Sequence, residues 1–228
     1  MSSREGRRIA VTGDTALAEG VAAGLRSLGA RVVLLDAAYE TEDDVRSSME
    51  AARDALDGHI DQVVHGWVEP ALLDAHVFAE VSEETWAVAC EHTLEVAWWT
   101  ARQASPALKE SQGSLVFLVP TIGMAGGAHY AMLAAVAEGV RVLAKGCGRQ
   151  WGSEGVTCNT VAVAPHHWTG PAAGAELTRN ITLSTPAFGD EGDAAVDLAP
   201  LVALLGDDDA HFLTAATMVA DGGTWMGL

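Results

Sequence analysis

The stretch AGGAHYAMLAAVAEG, residues 125–139, sets Tyr130 at the head of an apolar run with helical spacing. A tyrosine hydroxyl can serve as a proton donor or acceptor when a nearby cation draws its pKa down from about 10. One helical turn further on stands Ala134, so that turn supplies no cation. Arg141 and Lys145 lie too far along the same helix to substitute. A histidine side chain can work as acid or base, and His92 is a candidate for that role. With Tyr130 it makes a candidate acid/base pair for a non-redox reaction on a carbonyl compound, such as dehydration, isomerisation or aldol-type cleavage. His65, His129, His166 and His167 accompany it, together with Trp67 and Trp168. No sequence-close spacing of metal ligands joins these histidines, and no metal is expected. The plain alternative is that histidines and tryptophans fill a pocket and satisfy buried polar groups.

These residues must be positioned by an alternation of strands and helices. RRIAVTG is a short apolar run ending in Gly13, hence a buried strand. DTALAEGVAAGLRSLG has helical spacing and stops on Gly29. ARVVLLD is a second buried strand, ending in Asp36. An acidic amphipathic helix, ETEDDVRSSMEAARDALDG, and a third strand, IDQVVHG, follow. A long helix begins at the N-cap Ser82 and has Pro106 near its end. GSLVFLVP, GVTCNTVAVAP and FLTAATMVADGG carry the remaining strands, with helices around 129–150 and in GDAAVDLAPLVALLGD. The pattern predicts a single α/β domain over residues 1–228, a Rossmann-like doubly wound parallel sheet. Residues 166–190 read as one long irregular loop, of the length that often binds ligands.

Composition narrows the function. The formal net charge is −18, against nucleic acid or an anionic membrane surface as partner. Cys90, Cys147 and Cys158 are too few and scattered for a disulfide framework and fit a reducing compartment. MSSREGRR runs straight into a strand, with no apolar signal segment, so a soluble cytoplasmic protein is expected.

The order of elements resembles the short-chain dehydrogenase/reductase family over nearly the whole chain. VTG at 11–13, VTCNTVAVAP at 156–165 and FLTAATMVADGGTWM at 212–226 carry the likeness, and SEETWAVACEHTLEVAWWTARQASPAL looks like the family's long interface helix. The resemblance implies a glycine-rich loop that brings backbone N–H groups to a dinucleotide pyrophosphate. TGDTALAE keeps Gly13 but has Leu17 and Glu19 at the other two glycine positions, which sets a leucine side chain where the phosphate should approach. Asp36 stands where the family binds the ribose hydroxyls of NAD, and equally where a helix cap would stand. Only residues 37–60 separate it from the third strand, room for one helix, so the third strand/helix region of the family is shortened. The family's NNAG strand end has become VHGW, residues 64–67. No cofactor is therefore expected, or NAD if any.

The family's catalytic set is also incomplete. Tyr130 matches its proton donor, Ala134 replaces its lysine, His92 replaces its asparagine, and Pro120 or Thr121 falls where its serine is expected. His166 takes the glycine of the family's PG turn. His65, His92, His129, His166 and His167 map around the nicotinamide position, with Trp67 and Trp168 on the same edge. Two non-redox readings follow: a non-catalytic subunit of a family oligomer, or a repurposed cofactor-independent enzyme using Tyr130, His92 and Thr121. The third is a divergent NAD-dependent oxidoreductase of a hydroxy or keto substrate, resting on Tyr130, Asp36 and Gly13. The resemblance implies a homo-dimer or tetramer, or a hetero-oligomer with a family paralogue, through helices 82–104 and 129–150. A small carbonyl-containing ligand is the other candidate partner.

Overall fold

The computed structural model describes residues 6–36, 39–169, 186–190 and 192–227. Six strands form one parallel sheet: β1 (Arg8–Thr12), β2 (Arg31–Leu35), β3 (Gln62–His65), β4 (Ser114–Pro120), β5 (Thr157–Val163) and β6 (Thr217–Ala220). Their order is β2-β1-β3-β4-β5-β6. This is the doubly wound α/β fold that the alternating pattern predicts. From β1 the chain steps outward to β2, then crosses back to β3 on the other side. The strand ends of β1 and β3 thus flank the switch point, where open α/β sheets leave a crevice.

Helices cover both faces. They are α1 (Ala16–Ser27), α2 (Glu42–Ala55), α3 (Glu83–Trp86), α4 (His92–Ser111), α5 (Ile122–Ala125), α6 (Ala131–Trp151), α7 (His166–Thr169) and α8 (Ala199–Leu205). One apolar core gathers residues of α2, α4 and α6 against the sheet; the other gathers α1 and α8. Each central strand is buried on both faces, which is why its sequence is a continuous apolar run. β2 is an edge strand, and among the described residues α2 is the only helix or strand between it and β3. The shortened region expected from the spacing is present.

Local chemistry fixes the helix starts. Thr15 caps α1, its Oγ1 accepting from the Ala18 N–H at 3.2 Å. Thr41 and Asp44 form a reciprocal capping box at α2. Ser82 caps α3 as its sequence position implied. The long helix ends at Ser111, where its sequence pattern ends: α3 passes through a π-turn (Ala87–Glu91) into α4, which has Pro106 inside it. Within residues 166–190, expected to be irregular throughout, His166–Thr169 is helical, and 170–185 lie outside the described residues. The ADGG signature resolves as a tight turn. The Asp221 carboxylate accepts from the N–H groups of Gly223, Thr224 and Trp225, while Gly222 and Gly223 take φ of 65° and 80°, a conformation that favours glycine.

Candidate functional site

His65 stands at the C-terminal end of β3. Register pairs it with Thr12 on β1 and Phe117 on β4, so the three side chains form one row across the sheet. Its Nδ1 and the Thr12 Oγ1 are 2.9 Å apart, and its ring meets Phe117 edge-on at 5.5 Å. The residue is 1% exposed, and burial pushes its pKa down to about 3, so it stays neutral near pH 7. Its Nε2 has no hydrogen-bond partner among the described residues. His65 is therefore a core residue of the strand edge.

Gly13 follows β1 with φ 128°. A Cβ there would lie 2.9 Å from the Gly66 carbonyl oxygen, so the β1 turn and the β3 turn touch backbone to backbone. The expectation for Leu17 is corrected. Its side chain is fully buried in the α1 core and does not reach into the phosphate path. The helical period explains this: Leu17, Val21 and Leu25 fall on the inward face of α1, whereas Glu19 points to solvent.

A row of aromatic side chains packs beyond the ends of β2 and β3. Trp67 lies between Tyr39 and His92, edge-on to both, with ring centroids 5.9 and 5.5 Å away. His92 continues the row to Trp99 at 5.9 Å, and its Nδ1 is 4.0 Å from Glu95. The Tyr39 hydroxyl donates to the Leu35 carbonyl at 2.5 Å, the same oxygen that accepts the Gly13 N–H. Burial raises the Tyr39 pKa, and the charges of Asp14 and Asp36 add to this. Tyr39, 2% exposed, thus covers the end of β2 beside Gly13, while Asp36 is left exposed at the edge. Tyr39 carries no family motif; its only signal in the sequence is a large aromatic in an otherwise acidic linker, three residues after Asp36.

On the other side of the switch point, α7 packs against α1. It carries Trp168, 4% exposed, into the same apolar core as Leu17. The Trp168 Nε1 has no hydrogen-bond partner among the described residues. The rings of His166 and His167 are 4.1 Å apart and tilted by 44°. Burial and His166 lower the His167 pKa to about 4, against the opposing pull of Asp193 and Asp197. His167 forms part of the wall of a cavity of about 480 Å³ at the end of β6, with Phe188, Asp197 and Asp221.

Tyr130 is the residue immediately before α6 and is 5% exposed. Thr121 directly follows β4, is fully buried, and its Oγ1 has no partner among the described residues. His129, exposed, takes a left-handed φ of 66°, and its carbonyl accepts from the His76 N–H at 2.8 Å. Ala134 closes the first turn, its N–H donating to the Tyr130 carbonyl at 2.9 Å. Arg141 on the same helix is paired with Glu138. The candidate residues thus fall into separate groups: His92 and Trp67 with Tyr39 and Trp99, His65 in the sheet row, and His166, His167 and Trp168 on α7. Among the described residues, no group of three or more His, Cys, Asp or Glu could hold a metal ion. No helix among them is long and apolar enough to cross a membrane.

Fold and sequence together define the class. Residues 2–224 match the family described as enoyl-(acyl carrier protein) reductase, and the chain belongs to that family, within the short-chain dehydrogenases/reductases. Its relatives are distant. It is 25% identical over 232 aligned positions to the 3-oxoacyl-(acyl-carrier-protein) reductase FabG of Staphylococcus aureus, covering 98% of this chain and 90% of that one. It is 28% identical over 152 positions to the protein of the same name from Vibrio cholerae, covering 66% and 62%. It is 26% identical over 140 positions to a 12alpha-hydroxysteroid dehydrogenase of Clostridium sp., covering 57% of this chain and about half, 51%, of that relative.

Proposed function

We propose that this chain is a family member that does not carry out dinucleotide-dependent hydride transfer and serves as a non-catalytic subunit of a family oligomer. One observation carries the reading: buried aromatic side chains of the chain itself pack about the strand ends at the switch point, where a cofactor would be expected. Tyr39 caps the β2 end, Trp67 packs against it, and Trp168 is buried against α1. The residues present do not fit a dinucleotide. Gly13 is already packed against Gly66, and the family's other two loop glycines are absent, so the turn keeps one glycine of three. The Tyr130 set supports the same reading, since Ala134 supplies no cation and Arg141 is engaged by Glu138. Tyr130 and Thr121 are also deeply buried, which disfavours the cofactor-independent enzyme.

The subunit role draws on the helix surfaces. Trp98 on α4 and Val142 on α6 are 48% and 57% exposed, large apolar groups that a partner helix would cover. The partner is a second copy or a family paralogue.

The competing reading is an NAD-dependent oxidoreductase of a hydroxy or keto substrate, and the names of the relatives favour it. Calorimetric titration of the purified chain with NADH and NADPH separates the two. No binding up to millimolar concentration is expected. Micromolar binding of either would overturn the proposal and restore Gly13 and Asp36 as cofactor residues. Tyr130→Phe adds a second test: a subunit keeps its assembly unchanged, and any activity lost with the hydroxyl would reveal an enzyme.

A further inference from the structure

We propose that the connection between β3 and α4 forms a docking groove for a basic, apolar-bearing segment of a partner protein. The groove has a volume of about 510 Å³, with Phe78, Val81, Trp86 and Ala87 as its apolar wall and Glu83 and Glu91 among its lining. That size falls within the range of about 300–1,000 Å³ typical of specific pockets.

The floor is fixed. Leu72 is 1% exposed, the Glu69 N–H donates to Thr93 Oγ1 at 3.1 Å, and the His76 N–H donates to the His129 carbonyl at 2.8 Å. The wall is nevertheless open: Phe78 is 62% and Trp86 37% exposed. A held backbone that presents large apolar side chains to water is the signature of a contact surface.

Charge selects the occupant. Glu80, Glu83, Glu84 and Glu91 are exposed around the groove, and none of them has an ion-pair partner among the described residues. From residue 54 to residue 101 the chain contains Asp and Glu but no Lys or Arg. A second copy seated face to face would bring acid against acid. A segment with Lys or Arg flanking an apolar anchor would fill the wall and neutralise the carboxylates, as in the helix-in-groove mode. This inference does not depend on the cofactor reading, because the groove lies on the surface of the 70–91 connection and involves none of the crevice residues.

The test uses the full chain and two synthetic amphipathic helices, one of Leu and Lys and one of Leu and Glu, with calorimetry and hydrogen exchange as readouts. The Leu/Lys peptide should bind, protect the amides of residues 77–91, and bind more weakly as salt rises. The Leu/Glu peptide should not bind. Phe78→Ser with Trp86→Ser leaves the charge unchanged and should weaken binding at least about tenfold. Glu83→Gln with Glu91→Gln should weaken it and flatten the salt dependence. Equal affinity of the Phe78→Ser/Trp86→Ser variant, or protection spread over the whole acidic surface, would overturn the proposal in favour of unspecific attraction to the net negative chain. Self-association that Phe78→Ser abolishes would overturn it in favour of a second copy.

Discussion

His65 shows how a residue that can do chemistry is taken up by the fold. Its Nδ1 is bound to Thr12, its ring lies on Phe117, and burial holds it neutral with a pKa of about 3. The unfolded chain would protonate the same imidazole at about 6.5. Between these values the unfolded state binds the extra proton, so stability falls as pH falls through the window from 6.5 toward 3. The penalty reaches about 2 kcal/mol by pH 5, and is absent well above 6.5. His167, with its pKa lowered to about 4, acts in the same direction. His65→Asn keeps a hydrogen-bonding group for Thr12 and removes the titration. Urea unfolding at pH 5 and pH 7.5 should show a smaller pH effect in this variant than in the parent. An equal effect would mean that His65 is protonated without cost in the native state.

The elements hold the crevice through close approach. On α1, a Cβ at Gly24 would lie 2.2 Å from the Ala195 carbonyl oxygen and 2.5 Å from the Ala199 Cβ. Gly20 meets Ala194 in the same way, at 2.8 Å. The two glycines lie one turn apart and seat α1 directly on the Ala194–Leu198 π-turn and α8. Since the obstacle at Gly24 is backbone, Gly24→Ala must separate the elements. Despite the better helix propensity of alanine, it should cost about 1–3 kcal/mol, read as a lower urea midpoint. A neutral or stabilised Gly24→Ala would mean that the packing relaxes freely. The π-turn at Ala87–Glu91 leads directly into α4, whose first residue, His92, meets Trp67 and Trp99 edge-on.

At the scale of the molecule, the chain has the family's parallel sheet but one helix where the outermost strand and helix of the family are expected. β2 is left as the edge, and Tyr39 turns back to bond the β2 carbonyl at Leu35. The assembly proposed above would use the exposed apolar side chains on α4 and α6. Trp98→Ser with Val142→Ser should lower the mass measured by light scattering after size exclusion, to that of the monomer, with the fold intact. An unchanged oligomer would place the subunit contact elsewhere, for example on the β6 side, where Val219 and Phe212 are 41% and 94% exposed. The same double variant should leave Leu/Lys peptide binding at the Phe78 groove unaltered, because the two surfaces use different side chains.

Sequence by itself determined the six strands, their alternation with helices, the shortened region after Asp36, and the altered residues Ala134, Leu17 and Glu19. Those features are local: apolar runs, caps and spacing act within a few residues of one another. It also placed His65, Trp67, Trp168 and Tyr130 at strand ends and helix starts, because element order alone fixes those ends. What each side chain meets there was decided only by tertiary structure. Leu17 read as an obstacle in the phosphate path and is instead an inward residue of α1, because the helix phase is set by packing on β1 and β3. The histidines read as one pocket and divide among a sheet row, an aromatic row and α7, because pleat and register alternate the facing of side chains from strand to loop. Tyr39 had no visible role until β2 became the edge strand and its terminal carbonyl at Leu35 came within reach of a phenol four residues away.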